Sequence, residues 1–216
     1  MTIGSNASAS SPRQLRIKGP LLFVLILLAA ILAIDLTRSV AGTNEAKPRP
    51  SNWAVKLDRP DLPNLYQVTT NLYRGAQPDA RGMKELKAMG IHTVINLRSR
   101  HSDEDELLGT GLKQGRLHME PWRANDDDVV NFLKLATNTN NVPVFVHCQR
   151  GADRTGLVCA MYRITVCGWT KEEAIRELKE GGFGFNPAWK NIVSYIEKVD
   201  VDKIKQRMGI GESLKR

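Results

Sequence analysis

The sequence predicts one α/β domain, a mainly parallel central sheet flanked by helices with a functional loop at the carboxyl end of a strand. Three observations lead there. Short apolar runs of strand character alternate with segments of helical spacing between residues 65 and 200. A length of 216 residues, 42% hydrophobic and 25% charged, suits one core plus an appendage. Finally, the ten residues His147 to Gly156 stand between the apolar run Val142 to Val146 and the helical pattern Leu157 to Val166, which makes a strand–loop–helix turn.

The N-terminus has its own organisation. A Ser/Asn/Ala-rich stretch leads to Arg13, Arg16 and Lys18, then to an uncharged apolar run from Leu21 to Ile34, then to Ser39-Val40-Ala41. Basic, apolar and small segments in that order read as an export signal, cleaved near Ala41 or retained as a short anchor through residues 21–36. Either way the basic flank stays cytoplasmic, and the folded part is expected outside the cytoplasm, membrane-anchored or periplasmic/secreted. The expected organisation is residues 1–41 as signal peptide or anchor, 42–64 as an irregular linker, 65–200 as the folded domain and 201–216 as a basic tail.

Within the domain, Leu72 to Arg74 reads as a short strand, and Asp79 to Met89 as a helix through Met83, Leu86 and Met89, stopped by Gly90. Thr93 to Leu97 and Leu117 to Glu120 are expected strands. Asn125 to Asp128 caps an amphipathic helix through Val129, Phe132, Leu133 and Ala136. Thr170 and Glu173 form a capping-box pair ahead of a helix to Glu180, and Pro187 to Val199 supplies the last one. The net charge of +8 is diffuse, which suits an anionic substrate and excludes the clustered basic stripe of a nucleic-acid binder. Cys148, Cys159 and Cys167 make no disulfide framework, and four scattered histidines show no metal-ligand spacing.

The chemistry lies in His147-Cys148-Gln149-Arg150-Gly151-Ala152-Asp153-Arg154-Thr155-Gly156. A loop entering a helix turns successive backbone N–H groups, here those of Gln149 to Arg154, into one concavity, where the helix dipole adds positive potential. Arg154 brings a planar fork able to hold two phosphate oxygens. At the base, these groups favour thiolate over thiol at Cys148 and make it a nucleophile aimed at phosphorus. Taken singly, Cys148 reads as a small core residue and Arg154 as a surface charge; their joint spacing, with Gly151 and Gly156 where the backbone must turn or pack closely, favours the phosphate loop.

This stretch resembles the Cys-x5-Arg-Ser/Thr signature of the protein tyrosine phosphatase superfamily, in the form of its small dual-specificity members. Leu72-Tyr73-Arg74-Gly75-Ala76-Gln77-Pro78, the run Gly90 to Arg98 and Gly181-Gly182-Phe183-Gly184 are similar to bacterial exported or membrane-attached members of that group. The resemblance implies hydrolysis of phosphomonoesters without a cofactor. Cys148 would form a phosphocysteine, which water then hydrolyses. It also implies an upstream aspartate that protonates the leaving oxygen. Asp126 is the expected donor and Asp128 the alternative, although acidic residues at a helix start also stabilise its dipole with no catalytic duty. Thr155 is expected to place a hydroxyl near the Cys148 sulfur or to cap the helix, and His147 to orient the loop. Protein phosphotyrosine, with phosphoserine or phosphothreonine, is the expected substrate. An inositol phosphate or phosphoinositide phosphatase is a second reading, and a silent phosphate-binding module a third.

Overall fold

The computed structural model describes residues 49–209, and Arg49 opens the compact unit. Its elements are β1 (Val55–Lys56), β2 (Tyr66–Gln67), β3 (Leu72–Gly75), α1 (Ala80–Ala88), β4 (Thr93–Arg98), α2 (Glu104–Leu107), β5 (Lys113–Met119), α3 (Asp126–Thr137), β6 (Val144–His147), α4 (Asp153–Thr165), α5 (Lys171–Glu180), α6 (Lys190–Lys198) and α7 (Val201–Met208). The sheet order is β1-β2-β3-β6-β4-β5. β3, β6, β4 and β5 run parallel, and β1 and β2 add an antiparallel edge. The expected α/β class is the one observed.

Strand periodicity sorts the core into two layers. On β4, Val94 joins Met83, Leu86 and Ile91 under α1, whereas Ile95 and Leu97 join the larger cluster under α3 to α7. On β6, Phe145 faces the first cluster and Val144 and Val146 the second. Strands buried on both faces read as continuous apolar runs, which is why β4 and β6 stand out in the sequence. β5 stands at the edge of the sheet, and its polar residues alternate with buried Gly115 and Met119. It therefore begins at Lys113, four residues before the expected strand.

The two ends of the domain correct the expected boundaries. From Arg49 onward the supposed linker 42–64 is part of the fold: Trp53, Ala54 and Leu62 are buried, and β1 pairs with β2. The Ala54 N–H donates to Glu177 Oε1 at 2.6 Å, and the Arg49 guanidinium donates to the Gly181 and Ala54 carbonyls at 2.6 Å each. The basic tail likewise begins as α7, capped by Asp200 and anchored by buried Ile204. Polar composition concealed both segments, because each fixes itself through a few apolar side chains and long-range hydrogen bonds. The expected leader or anchor, residues 1–41 with its apolar run 21–36, lies outside the described residues. Among those described, no helix is long and apolar enough to cross a membrane.

Glu177 is the keystone of the N-terminal attachment. Its two carboxylate oxygens accept from Arg163 Nε at 3.0 Å and Nη2 at 2.9 Å, and both residues are buried. Removing one partner strands a buried charge, so Glu177→Ala is expected to lower stability by about 3 to 5 kcal/mol. Urea denaturation followed by circular dichroism measures this directly. A loss below about 1 kcal/mol, the range of an exposed pair, contradicts it.

Candidate active site

The phosphate loop leaves the sheet at β6 and enters α4, whose parallel neighbours β3 and β4 place it at the carboxyl edge. Gly151 has φ of +67°, and a Cβ there would collide with the backbone of Gly75 and Ala76, so only glycine permits this close approach. Gly156 sits inside α4, where a Cβ would collide with Leu178. The loop is also pinned from beneath. Buried Arg74 donates through Nη2 to the Gly151 carbonyl at 2.8 Å, and its guanidinium lies 3.7 Å from the centre of the Phe183 ring. Asn64 Nδ2 donates to the Arg150 and Phe183 carbonyls, at 2.9 Å each.

α4 begins without a side-chain cap. Asp79, Asn125, Thr170 and Asp200 each accept a hydrogen bond from a first-turn N–H of their helices, whereas the cap position of α4 is Ala152. Its first N–H groups are therefore left for an anion. Thr155, the third residue of α4, is not the cap. Its buried Oγ1 is engaged by no other group, which leaves its hydroxyl proton free to turn to the Cys148 sulfur, whose pKa it lowers. Burial opposes ionisation of Cys148, but the Thr155 hydroxyl and N–H, the Arg154 charge and the Gly151 N–H outweigh it, and the thiol pKa is lowered. Cys159, buried in α4 without such partners, is pushed up to about 11.

Arg154 hangs from the ends of two strands, Nη1 donating to the Met119 carbonyl at 3.2 Å and more weakly to Leu97 at 3.5 Å. Within the described residues its Nε and Nη2 make no hydrogen bond, which leaves donors for anion oxygens. Arg150 and Asp153 are engaged elsewhere. They pair with each other at 3.4 Å, and Asp153 Oδ1 accepts the Asn186 N–H at 2.9 Å. These two contribute backbone geometry to the loop, and their opposite side-chain charges offset one another.

Behind the loop lies a polar latch. His147 and Asp103 are fully buried and meet at 2.8 Å, and Asp103 Oδ1 accepts from Asn96 Nδ2 at 2.8 Å and Gln77 Nε2 at 2.9 Å. Burial works against the Asp103 carboxylate, yet His147, Gln77 and nearby His101 hold its pKa below the ordinary value. A carboxylate only accepts, so His147 Nε2 carries the proton and the ring is fixed beside Cys148. His101 and Glu106 bring further donor atoms near Asp103. Its oxygens, however, are already taken within the latch.

A cavity of about 260 Å³ opens between residues 98–100 at the end of β4, residues 120–122 after β5, and Gln149 and Arg154 of the loop. Neither expected acid lines it. Asp126 Oδ1 accepts from Tyr195 Oη at 3.0 Å and Oδ2 from Lys203 Nζ at 3.1 Å, so it fastens α3 to α6 and α7. Burial raises its pKa, but Lys203 and Tyr195 outweigh that and keep it low, the wrong direction for a proton donor. Burial raises the pKa of Asp128, but its carboxylate accepts from Asn125 Nδ2 at 2.7 Å at the helix start. Glu120 is the carboxylate that lines the cavity. It had been absorbed into the expected strand ending there, and nothing in its spacing distinguished it.

A cysteine whose thiol pKa is lowered at the base of an N–H nest, beside a guanidinium fork, on a parallel α/β sheet, defines a cysteine-dependent phosphatase. The comparisons agree. The family described as DSP-PTPase phosphatase fused to NAD+ kinase matches residues 51–191. The chain is 34% identical to the dual specificity protein phosphatase TpbA of Pseudomonas aeruginosa over 198 residues, 90% of this chain and 89% of that protein. A crystal structure of a Cys→Ser variant of P. aeruginosa TpbA in complex with phosphotyrosine superposes with a TM-score of 0.68 at 32% identity, covering 76% of this chain and 100% of that one. The inositol diphosphatase DSP5 of Arabidopsis thaliana is 25% identical over 155 residues, 67% of this chain and 73% of that protein. The chain belongs to the dual-specificity phosphatases of the protein tyrosine phosphatase superfamily.

The thiol contrast yields a measurement. At neutral pH iodoacetamide is expected to alkylate Cys148 ahead of Cys159 and Cys167, because only Cys148 is shifted toward the thiolate. The Cys148 rate should fall as pH drops through its folded pKa, below the ordinary 9.0. Orthovanadate should protect it, and Thr155→Val should move the midpoint upward. Mass spectrometry showing equal labelling of all three cysteines contradicts the assignment.

Proposed function

We propose that this protein hydrolyses protein phosphotyrosine, and phosphoserine or phosphothreonine, through a phosphocysteine intermediate. The observation that carries the reading is the depressed Cys148 thiol beneath the uncapped start of α4 and the free edge of Arg154. Similarity to TpbA, one structure of which holds phosphotyrosine, supports the substrate class.

In the first step the phosphate oxygens sit on the N–H groups of the loop and on Arg154, and Cys148 Sγ attacks phosphorus from the opposite side to the leaving oxygen. The P–O bond to the leaving group breaks as the S–P bond forms, and Glu120 gives its proton to the departing oxygen. In the second step Glu120 takes a proton from water, whose oxygen displaces Cys148 and releases inorganic phosphate. The Thr155 hydroxyl stabilises the sulfur anion as it leaves. Preorganised donors that already face the phosphate require no rearrangement as charge develops.

Cys148→Ser is expected to abolish turnover while keeping phosphopeptide binding. Glu120→Gln should slow phosphotyrosyl and phosphoseryl peptides far more than activated aryl phosphates, whose leaving groups need little protonation. Asp126→Asn and Asp128→Asn should treat both substrate classes alike. Steady-state rates for the three variants on both classes decide this, and selective loss in Asp126→Asn or Asp128→Asn alone transfers the role from Glu120.

The export reading completes the proposal: the order of basic, apolar and small residues from Arg13 to Ala41 supports placing the catalytic domain outside the cytoplasm. An alkaline phosphatase reporter fused after Arg216, active only when exported, is expected to give activity in cells. A silent fusion, with cytoplasmic fluorescence from a matching fluorescent one, reverses the localisation.

A further inference from the structure

A single bound phosphate accounts for the loop and Arg154 but leaves a second cationic feature unexplained. Arg98 and Arg100 line the same cavity, on the segment that leaves β4. Among the described residues, neither has a carboxylate within 4.0 Å, whereas Arg150 of the phosphate loop is paired with Asp153. Arg98 Nη1 makes one long contact of 3.4 Å with the neutral Gln77 Oε1, and Arg100 is exposed. With Arg154, three guanidinium groups thus border about 260 Å³, against one carboxylate among the lining residues, that of Glu120. Side chains of like charge gathered without partners raise the local potential, which favours an anion beside the one being hydrolysed.

The rim also carries an apolar component. Trp122 is 62% exposed and, with Pro121, lines this cavity. An indole face and a proline ring suit the phenyl ring of phosphotyrosine, whereas a small polyphosphate has nothing to place there. We propose that Arg98 and Arg100 form a second anion subsite that takes an acidic residue flanking the phosphotyrosine, with Trp122 supporting the ring. The planar forks bind carboxylate in two-point fashion. The inference rests on the phosphatase reading above and narrows its substrate to phosphotyrosine in an acidic sequence context.

The test separates the two. Binding of two phosphotyrosyl peptides, one with Asp on each side of the phosphotyrosine and one with Ala, is measured by calorimetry on the full chain carrying Cys148→Ser. The same titrations are run on that chain carrying Arg98→Gln and Arg100→Gln as well. The Ala-flanked peptide reports on the phosphate loop, and the ratio of the two affinities reports on the subsite. The acidic peptide is expected to bind about fivefold to tenfold tighter, as for one or two partly exposed charge pairs. The preference should shrink as sodium chloride is raised and disappear in the double Gln variant, whose affinity falls less for the Ala-flanked peptide than for the acidic one. The circular dichroism spectrum and thermal unfolding midpoint of the double Gln variant should match those of the parent, showing an intact fold. Equal affinities in the parent, or a preference that survives the double Gln change, overturn the subsite and leave the phosphatase reading standing. Binding of neither peptide overturns both. If inorganic pyrophosphate loses affinity in the double variant while the acidic peptide never exceeds the neutral one, the arginines serve a second phosphate, and the peptide assignment is wrong.

Discussion

The shape of the site depends on how the phosphate loop is held against β3. Gly151 brings its backbone into contact with Gly75 and Ala76, at a conformation that side chains with a Cβ rarely adopt. Arg74, leaving the same strand, donates to the Gly151 carbonyl and stacks over Phe183. A carbonyl turned toward a buried guanidinium cannot also turn into the anion site, so the loop's N–H groups face the other way. The 181–184 turn is drawn in by the same cation, and Asn64 ties its Phe183 carbonyl to that of Arg150. The motifs containing Arg74 and Phe183, more than 100 residues apart in sequence, are thus parts of one support for the loop.

The electrostatics follow from this arrangement. Burial alone drives a thiol toward its neutral form, as it does for Cys159. Cys148 is comparably buried yet shifts the other way, because it meets the N–H groups of an uncapped helix, the Thr155 hydroxyl and the Arg154 charge. The missing cap is itself informative. Four other helices use Asp, Asn or Thr at this position, and a carboxylate or hydroxyl there would occupy the donors that the phosphate requires. The Asp103–His147 latch completes the frame, since two fully buried polar groups joined at 2.8 Å permit few alternative placements of the residue preceding Cys148.

The acidic run Asp126 to Asp128 shows how a local pattern misleads. Three carboxylates upstream of a nucleophilic cysteine invite a catalytic reading, and their position at a helix start invites a structural one. The fold decides through neighbours from far along the chain: Tyr195 and Lys203 claim Asp126, and Arg207 claims Asp127. Those partners belong to the last two helices, one of which had been assigned to a tail. Once α6 and α7 pack on α3, the first carboxylate is neutralised at the domain's flank. Glu120, just beyond the end of β5, is the carboxylate among the residues that line the cavity.

The sequence by itself determined the α/β class, the strands β3, β4 and β6, most of the helices and the cysteine–arginine loop. Each of these is written in local spacing: period two or continuous apolar runs in buried strands, period 3.6 in helices, and a fixed separation of Cys148 from Arg154 across one turn. Only the tertiary structure decided that residues 49–64 belong to the domain, that β5 starts at Lys113, and that residues 201–208 form a helix. Those segments are polar and are held by long-range contacts such as Ala54 to Glu177, which leave no periodic trace. The same reason governs the site. A phosphate loop is a local object of ten residues and can be read directly, but which carboxylate or arginine reaches its mouth depends on where separate strands end in space.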